Sequence, residues 1–139
     1  MNKDFTSKHY ASRNYEKMKD VLMDPTAPDQ EIQYHMVRGG TNQRNITIWE
    51  PGKIGGEYIK TYGHYHVGNL DETYWAIFGE GIVLVQKRAV DTNGNPIDDE
   101  IDKAYAVKVK PGDALFIPSG WGHLVANIKS TYFVTADDS

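Results

Sequence analysis

Short apolar segments divided by glycine and proline turns run through most of the chain. The 139 residues include 13 Gly and 6 Pro, which are spread between the segments and not gathered into one linker. Many short segments separated by such turns are typical of an all-β sandwich or barrel. The length fits one domain and is sufficient to bury a core without disulfide bridges.

The turn pattern predicts nine strands. Their ranges are 32–37, 46–49, 58–66, 72–78, 81–86, 104–109, 114–117, 123–128 and 131–136. Residues 72–78 and 81–86 are predicted to form a hairpin about the turn at 79–81. Antiparallel strands in this number close into a barrel or a double-sheet jelly roll. The acidic cluster at 98–102 is predicted to be a solvated loop.

The first thirty residues have a different pattern. Apolar and small side chains fall near helical spacing at Ser12, Tyr15, Met18, Val21 and Leu22, and Asp24-Pro25 ends the pattern. We therefore predict a short helix there, within a helical and loop extension over residues 1–30. Residues 31–139 are expected to form one barrel domain.

The composition excludes several classes of site. There is no cysteine, so disulfides, zinc ribbons and thiol nucleophiles are excluded, and any metal must be held by His, Asp or Glu. The net charge of −4 without a basic cluster argues against nucleic acid or an anionic membrane as a partner. No apolar run approaches the ~20 residues of a bilayer span, and the polar start is not a signal peptide. A soluble, cytoplasmic protein is expected.

The strongest local motif is Gly63-His64-Tyr65-His66. Residues two apart in a strand project to the same face, so both imidazoles should point together. An antiparallel return after a short loop can bring Glu72 beside them, and such a set suits Fe, Mn, Ni, Co or Zn. The alternative is a pair of surface histidines on an edge strand.

A second motif supplies a further histidine. Gly112 is followed after five residues by Pro118-Ser119-Gly120, then after two by His123 and after three by Asn127. The glycines and the proline turn the chain on either side of a short strand, and the bend presents His123 at the start of the next one. Taken alone, His123 is equally consistent with a satisfied core histidine.

Together the two motifs resemble those of the cupin family. His64, His66, Glu72 and Gly79 match the first family motif, and residues 112–127 match the second at every position. The first motif's opening glycine is replaced by Tyr58, and the loop before Glu72 is long. The resemblance implies a cupin-type double-stranded β-helix, a jelly-roll barrel, with one divalent metal ion held by His64, His66, Glu72 and His123.

The chain is more specifically similar to the cupin-type glucose-6-phosphate isomerases. The shared elements are a Pro-Gly-Lys-x-Gly turn at 51–55, Thr-x-Gly-His-x-His at 61–66 and Glu-x-Tyr at 72–74. The likeness implies a metal-dependent aldose–ketose isomerase that interconverts glucose 6-phosphate and fructose 6-phosphate through an enediolate. Those isomerases also carry a Tyr near the end of the last strand, to which neither Tyr132 nor Thr135 aligns securely.

The likeness also implies roles for individual residues. The substrate phosphate would be bound by hydroxyls and backbone amides, and not by a basic cluster, at Thr47, Thr61, Gly63, Tyr74 and Tyr34. Glu72 is the leading candidate for the catalytic base, and His66 and Tyr74 are further catalytic candidates. A hydride shift would use the same residues.

Two other functions remain open at this point. One is a different metal-dependent cupin enzyme, a dioxygenase or decarboxylase, and the other is a non-catalytic sugar-binding cupin. His9 and His35 are expected to lie outside the metal site. Because cupins often pair through sheet edges, a homodimer is expected.

Overall fold

The computed structural model describes residues 9–27, 30–39, 43–66 and 68–139. Strands dominate it, with one helix of a single turn, which confirms the predicted all-β class. The elements are β1 (Tyr10–Asn14), α1 (Tyr15–Met18), β2 (Ile32–Val37), β3 (Asn45–Trp49), β4 (Lys53–Ile54), β5 (Glu57–Tyr58), β6 (Glu72–Phe78), β7 (Gly81–Val90), β8 (Pro96–Val109), β9 (Ala114–Ile117), β10 (Trp121–Asn127) and β11 (Phe133–Asp137).

Two larger sheets form the layers of the fold. The first has six strands in the order β1-β2-β3-β11-β6-β9, and the second has three in the order β10-β7-β8. Neighbouring strands in both sheets are antiparallel. β4 and β5 form a separate two-stranded ribbon.

The apolar core lies between the two sheets. Trp49 and Phe133, which are opposite each other on β3 and β11, are fully buried with ring centroids 5.1 Å apart. Val83 and Val125 contribute a similar buried pair from β7 and β10. Met18 of α1 is also fully buried, so the helix packs onto this core.

The N-terminal segment differs from the sequence prediction in one respect. A helical turn is present at residues 15–18, capped by the Asn14 side chain, which accepts from the Lys17 amide at 3.1 Å. Residues 10–14, however, form β1, which pairs with β2. Long-range pairing therefore decides the conformation at Ser12, which the helical pattern assigned to the helix. The division into an extension over 1–30 and a barrel over 31–139 stays a prediction.

The predicted strand at 58–66 is wrong for most of its length. Only β5 is regular, and the chain then contacts β10 through isolated bridges from Lys60 to Ala126 and from His64 to His123. Gly63 lies between them with φ of 88°, in the left-handed region, and this interrupts an extended strand.

The predicted hairpin of residues 72–78 with 81–86 is also wrong. β6 pairs with β11 and β9, whereas β7 pairs with β10 and β8. Gly79 lies against the backbone of Tyr132, and Gly81 lies against the Phe133 ring, so the chain crosses here from one sheet to the other. The two glycines provide close packing instead of a tight hairpin turn.

The acidic cluster is exposed as predicted, but residues 98–102 belong to β8 and not to a loop. A turn at residues 92–94 precedes β8. The polar chain start lies outside the described residues, as do residues 28–29 and 40–42. Among the helices of the described residues, none is long and apolar enough to cross a membrane.

Candidate metal centre

The first pair of candidate ligands is set by a backbone contact between residues 59–66 and β10. The His64 amide donates to the His123 carbonyl at 3.1 Å, and the His123 amide donates to the His64 carbonyl at 3.0 Å. Residues that exchange both hydrogen bonds lie directly opposite each other, with side chains on the same face. The two imidazole rings are 4.7 Å apart between centroids.

Glu72 and His66 complete the cluster. Glu72 is the first residue of β6, and its Oε2 lies 3.1 Å from Nε2 of His123 and in direct contact with Nε2 of His66. One ligand atom from each of the four residues, His64 included, lies within 4.8 Å of the others. The residues predicted from spacing as metal ligands are therefore brought together.

The charge states suit a cation. Burial by itself would raise the pKa of Glu72, but hydrogen bonds and charges from His123 and His66 outweigh it and lower that pKa to about 2. Partial burial of the His64 ring, with the neighbouring histidines, lowers its pKa. An ionised carboxylate and neutral imidazoles are the forms that bind metal ions.

A buried histidine without partners supports the same interpretation. Both ring nitrogens of His123 are buried and make no well-aligned hydrogen bond, even though Glu72 is near. Such orphaned nitrogens are rare in protein interiors and are accounted for where they ligate an ion. With His64, His66 and Glu72 they form a donor set that could hold a divalent metal ion.

A cavity of about 580 Å³ opens beside this cluster. Its lining contains His64, His66 and Glu72 together with all five residues predicted to bind substrate, namely Tyr34, Thr47, Thr61, Gly63 and Tyr74. His123 lies behind the others and is only 5% exposed. The structure thus places every predicted site residue at or against one cavity.

The hydroxyl groups at the cavity are held in place by backbone amides. Oγ1 of Thr61 accepts from the Val125 amide at 3.0 Å, and the Tyr34 hydroxyl accepts from the Tyr62 amide at 3.3 Å. Each hydroxyl therefore keeps its own proton available for an acceptor in the cavity. Thr47 is buried on β3, opposite Thr135 of β11.

Tyr74 lies against the cluster. Its ring centroid is 5.6 Å from that of His123, and burial, followed by the negative charges of Glu72 and Asp137, raises its pKa well above the ordinary value. The phenol is therefore neutral and acts as a hydrogen-bond donor near the ligands.

Two histidines lie outside the cluster, as expected. The His35 ring contacts Glu50 at 2.9 Å and the Tyr10 hydroxyl at 2.6 Å, and His9 precedes β1. Sequence reasoning missed two other residues that line the cavity, Arg13 and Arg38. Arg13 lies in the segment whose pattern predicts a helix, and Arg38 follows the predicted strand at 32–37. The pairing of β1 with β2 brings Arg13 beside Tyr34 at the cavity.

Comparison with protein families gives a consistent result. The family model for glucose-6-phosphate isomerase (GPI) matches residues 6–138. The glucose-6-phosphate isomerase of Thermococcus gammatolerans is 30% identical over 121 residues, which cover 86% of this chain and 57% of the relative. That of Pyrococcus furiosus is 32% identical over 121 residues, covering 86% and 54%. The chain spans about half the length of these curated relatives.

Solved structures with the same architecture are cupins. The Drosophila melanogaster CENP-C cupin domain has a TM-score of 0.52 at 15% identity, over 75% of this chain and 65% of that one. A predicted oxalate decarboxylase from Thermotoga maritima has a TM-score of 0.50 at 20% identity, over 75% and 76%. At these identities the likeness shows the fold alone, and it confirms the predicted cupin-type barrel.

Proposed function

The chain belongs to the glucose-6-phosphate isomerase family, and on that premise we propose that it interconverts glucose 6-phosphate and fructose 6-phosphate with one divalent metal ion. The observation that carries the proposal is the convergence of three histidines and one glutamate beside a cavity lined by hydroxyl groups. Named relatives with that activity support the choice of substrate.

The ion would be held by His64, His66, Glu72 and His123. This set of three imidazoles and one carboxylate accepts Fe, Mn, Ni, Co or Zn. When bound, such an ion supplies Lewis-acid stabilisation of the negative charge that develops on the substrate oxygens at C1 and C2.

Glu72 is proposed to move the proton. In the direction from aldose to ketose, the carboxylate takes the proton from C2 of the open-chain sugar, which leaves an enediolate, and then returns the proton to C1. The hydroxyl proton moves from the C2 oxygen to the C1 oxygen. Tyr74 is a neutral donor beside Glu72 and can hydrogen-bond a substrate oxygen, and His66 contacts the same carboxylate.

The low pKa of Glu72 constrains this step. A carboxylate with a pKa of about 2 is a good ligand and a weak base. The role as base therefore requires the His66 and His123 rings to lose their stabilising contacts with the carboxylate when the site is filled. A direct hydride shift from C2 to C1 needs no such base, and incorporation of solvent deuterium into product at C1 or C2 distinguishes the two routes.

Substrate binding is assigned to the hydroxyl lining. Thr61 and Tyr34 each have the acceptor side of the hydroxyl occupied by a backbone amide, which directs the proton toward an anionic ligand. Thr47, Gly63 and Tyr74 line the same cavity and complete the proposed set.

We propose a homodimer as the working assembly. β8 is the edge strand of its sheet, and no strand among the described residues pairs with its outer side. It exposes large apolar side chains, including Ile101 at 47% and Tyr105 at 54%. Because an exposed strand edge is a template for pairing, a second copy would cover it. Sedimentation should give twice the chain mass, and a purely monomeric species would contradict this part of the proposal.

The isomerase assay tests the main proposal. Protein loaded with a single divalent ion should convert fructose 6-phosphate to glucose 6-phosphate, and Glu72→Gln should lose nearly all of this activity while remaining folded. His35→Ala is the matched control because it removes an imidazole outside the cluster.

Either of two results would count against the proposal. Protein that binds metal and converts neither sugar phosphate would favour a binding cupin or another cupin chemistry. Equal turnover by Glu72→Gln and the intact protein would remove Glu72 from the mechanism.

A further inference from the structure

Two arginines reach the cavity from the edge of the six-stranded sheet. Arg13 lies on β1 directly opposite Tyr34 of β2, and Arg38 follows the end of β2. Side chains of opposed residues share a face, and residues two apart along a strand share a face. Tyr34, Met36 and Arg38 therefore point to the same side as Arg13, and all four line the cavity.

Neither arginine is paired with an acidic side chain among the described residues. Among the described residues, no carboxylate lies within salt-bridge distance of Arg13 or Arg38. Nε of Arg13 is buried and makes no hydrogen bond. The Arg13 side chain hydrogen-bonds the Tyr34 hydroxyl and also lines the cavity, so the remaining N–H donors of its guanidinium can bind a ligand there.

The acidic side chains of the cavity are already engaged. Glu72 is in contact with the histidines, and Asp137 accepts from the Asn45 amide group at 3.0 Å and from the Ser139 hydroxyl at 2.6 Å. The two arginines therefore bring positive charge to the cavity lining without an ion pair among the described residues.

The arginines and the cluster lie at different ends of the site. Four strand spacings separate β1 from β6, which carries Glu72, or roughly 19 Å along the curved sheet. Both arginines nevertheless line the same cavity as His64, His66 and Glu72. A ligand that contacts both ends must be elongated and must be anionic at the arginine end.

We propose that Arg13 and Arg38 bind the phosphate group of the substrate and make the site selective for phosphorylated over free sugars. This assignment rests on the proposed function and adds a cationic component to the hydroxyl set. A guanidinium presents paired N–H donors that match phosphate oxygens, and such charge-assisted hydrogen bonds are stronger than those of hydroxyls. Tyr34, beside Arg13, would contribute its hydroxyl to the same phosphate.

Binding of an unreactive probe tests the assignment separately from catalysis. Sorbitol 6-phosphate has no carbonyl and cannot isomerise, and sorbitol is its counterpart without phosphate. Calorimetry should show that Arg13→Gln and Arg38→Gln each weaken binding of sorbitol 6-phosphate by about tenfold or more. Arg38→Lys, which keeps the charge and loses the paired donors, should lie in between. Binding of sorbitol should not change.

Arg88→Gln is the matched control. Arg88 lies on the other sheet with its guanidinium 4.0 Å from the Tyr65 ring centroid, outside this cavity. Because Arg38 is exposed beyond the end of β2, its substitution does not disturb the strand pairing that Arg13→Gln could weaken. Thermal melting of each variant identifies a folding defect.

The outcomes separate this assignment from the proposed function. If the protein isomerises the sugar phosphates but Arg38→Gln leaves KM and probe affinity unchanged, the arginine assignment fails and the isomerase proposal stands. If no isomerisation occurs but sorbitol 6-phosphate binds in an arginine-dependent way, the assignment stands and the isomerase proposal fails. A rise in KM with unchanged kcat in Arg38→Gln supports both the arginine assignment and the isomerase proposal.

Discussion

The candidate metal centre has a buried half and an exposed half. Glu72 and His123 are 2% and 5% exposed and belong to the regular strands β6 and β10. His66 is half-buried and His64 is exposed, and both lie outside regular strands. The comparison indicates that the sheets fix the positions of two candidate ligands, whereas the positions of the other two depend on how residues 59–66 follow β10.

A small number of backbone hydrogen bonds holds the exposed half. The Asn127 amide donates to Ile59, the Thr61 amide donates to Val125, and His64 exchanges two hydrogen bonds with His123. These contacts recur at every second residue of β10, but on the facing segment they fall at residues 59, 61 and 64, so one extra residue is inserted at the Gly63 turn. Substitutions in the buried half should therefore change the charge of the site and the free energy of unfolding. Substitutions in the exposed half should change mainly the affinity for the metal ion.

The largest expected effect comes from removing the buried carboxylate. Glu72→Gln keeps the shape of the side chain but removes the carboxylate of the proposed ligand set, so metal affinity and isomerase activity should fall by about 100-fold or more. Titration with a divalent ion by calorimetry, followed by the isomerase assay, measures both. Affinity equal to that of the intact protein would show that the buried half does not hold the ion.

The loss of stability at low pH tests the role of the buried Glu72 carboxylate in protein without metal. The pKa of Glu72 is lowered from 4.5 to about 2 in the folded state, so its stabilising contribution is complete above pH 4.5 and is lost as the pH falls through about 2. This contribution amounts to at most about 3 kcal/mol of unfolding free energy.

Urea denaturation of chelated protein across that pH interval measures the effect. The intact protein should lose stability more steeply than Glu72→Gln, because other carboxylates contribute equally to both. If the unfolding free energies of the two proteins fell in parallel with pH, the proposed stabilisation of the Glu72 carboxylate by His66 and His123 would be wrong.

The turn in the exposed half should tolerate substitution poorly. Gly63 has φ of 88°, and a Cβ there would lie 3.3 Å from Cβ of Leu124. Gly63→Ala should cost about 1–2 kcal/mol. Gly94→Ala is the control, since Gly94 has φ of 80° but nothing within 4 Å of an added Cβ. Equal losses in urea denaturation would mean that backbone strain alone, and not contact with Leu124, sets the cost.

The smallest effect on the fold is expected at the exposed ligand. His64→Ala should change the stability of metal-free protein by less than about 0.5 kcal/mol, because exposed side chains contribute little. The same variant should lose most of the rise in melting temperature that added metal gives the intact protein. Undiminished metal stabilisation would remove His64 from the ligand set.

The resemblance to the cupin motifs predicted which four residues converge beside the cavity, and the convergence has a physical reason. The His64-x-His66 spacing uses the two-residue repeat of extended chain, and Glu72 and His123 each follow a local turn, so none of these placements needs knowledge of the strand order. The lining residues Thr61 and Tyr74 could be predicted because they are close in sequence to ligands.

Features that depend on long-range pairing could not be predicted in this way. Ser12 fits a helical pattern, but the hydrogen bonds between β1 and β2 stabilise an extended conformation at this residue. Gly79 and Gly81 fit the pattern of a hairpin turn, but in the structure both lie against Phe133 or its neighbour Tyr132. Arg13 lies at the cavity because β1 pairs with β2.

Metal content measured together with turnover tests the central claim most directly. Protein stripped with a chelator and titrated with one divalent ion should regain isomerase activity in proportion to bound metal. Activity should reach its maximum at one ion per chain, and Glu72→Gln should neither retain the ion nor regain activity. Full activity in stripped protein with no detectable metal would contradict the account.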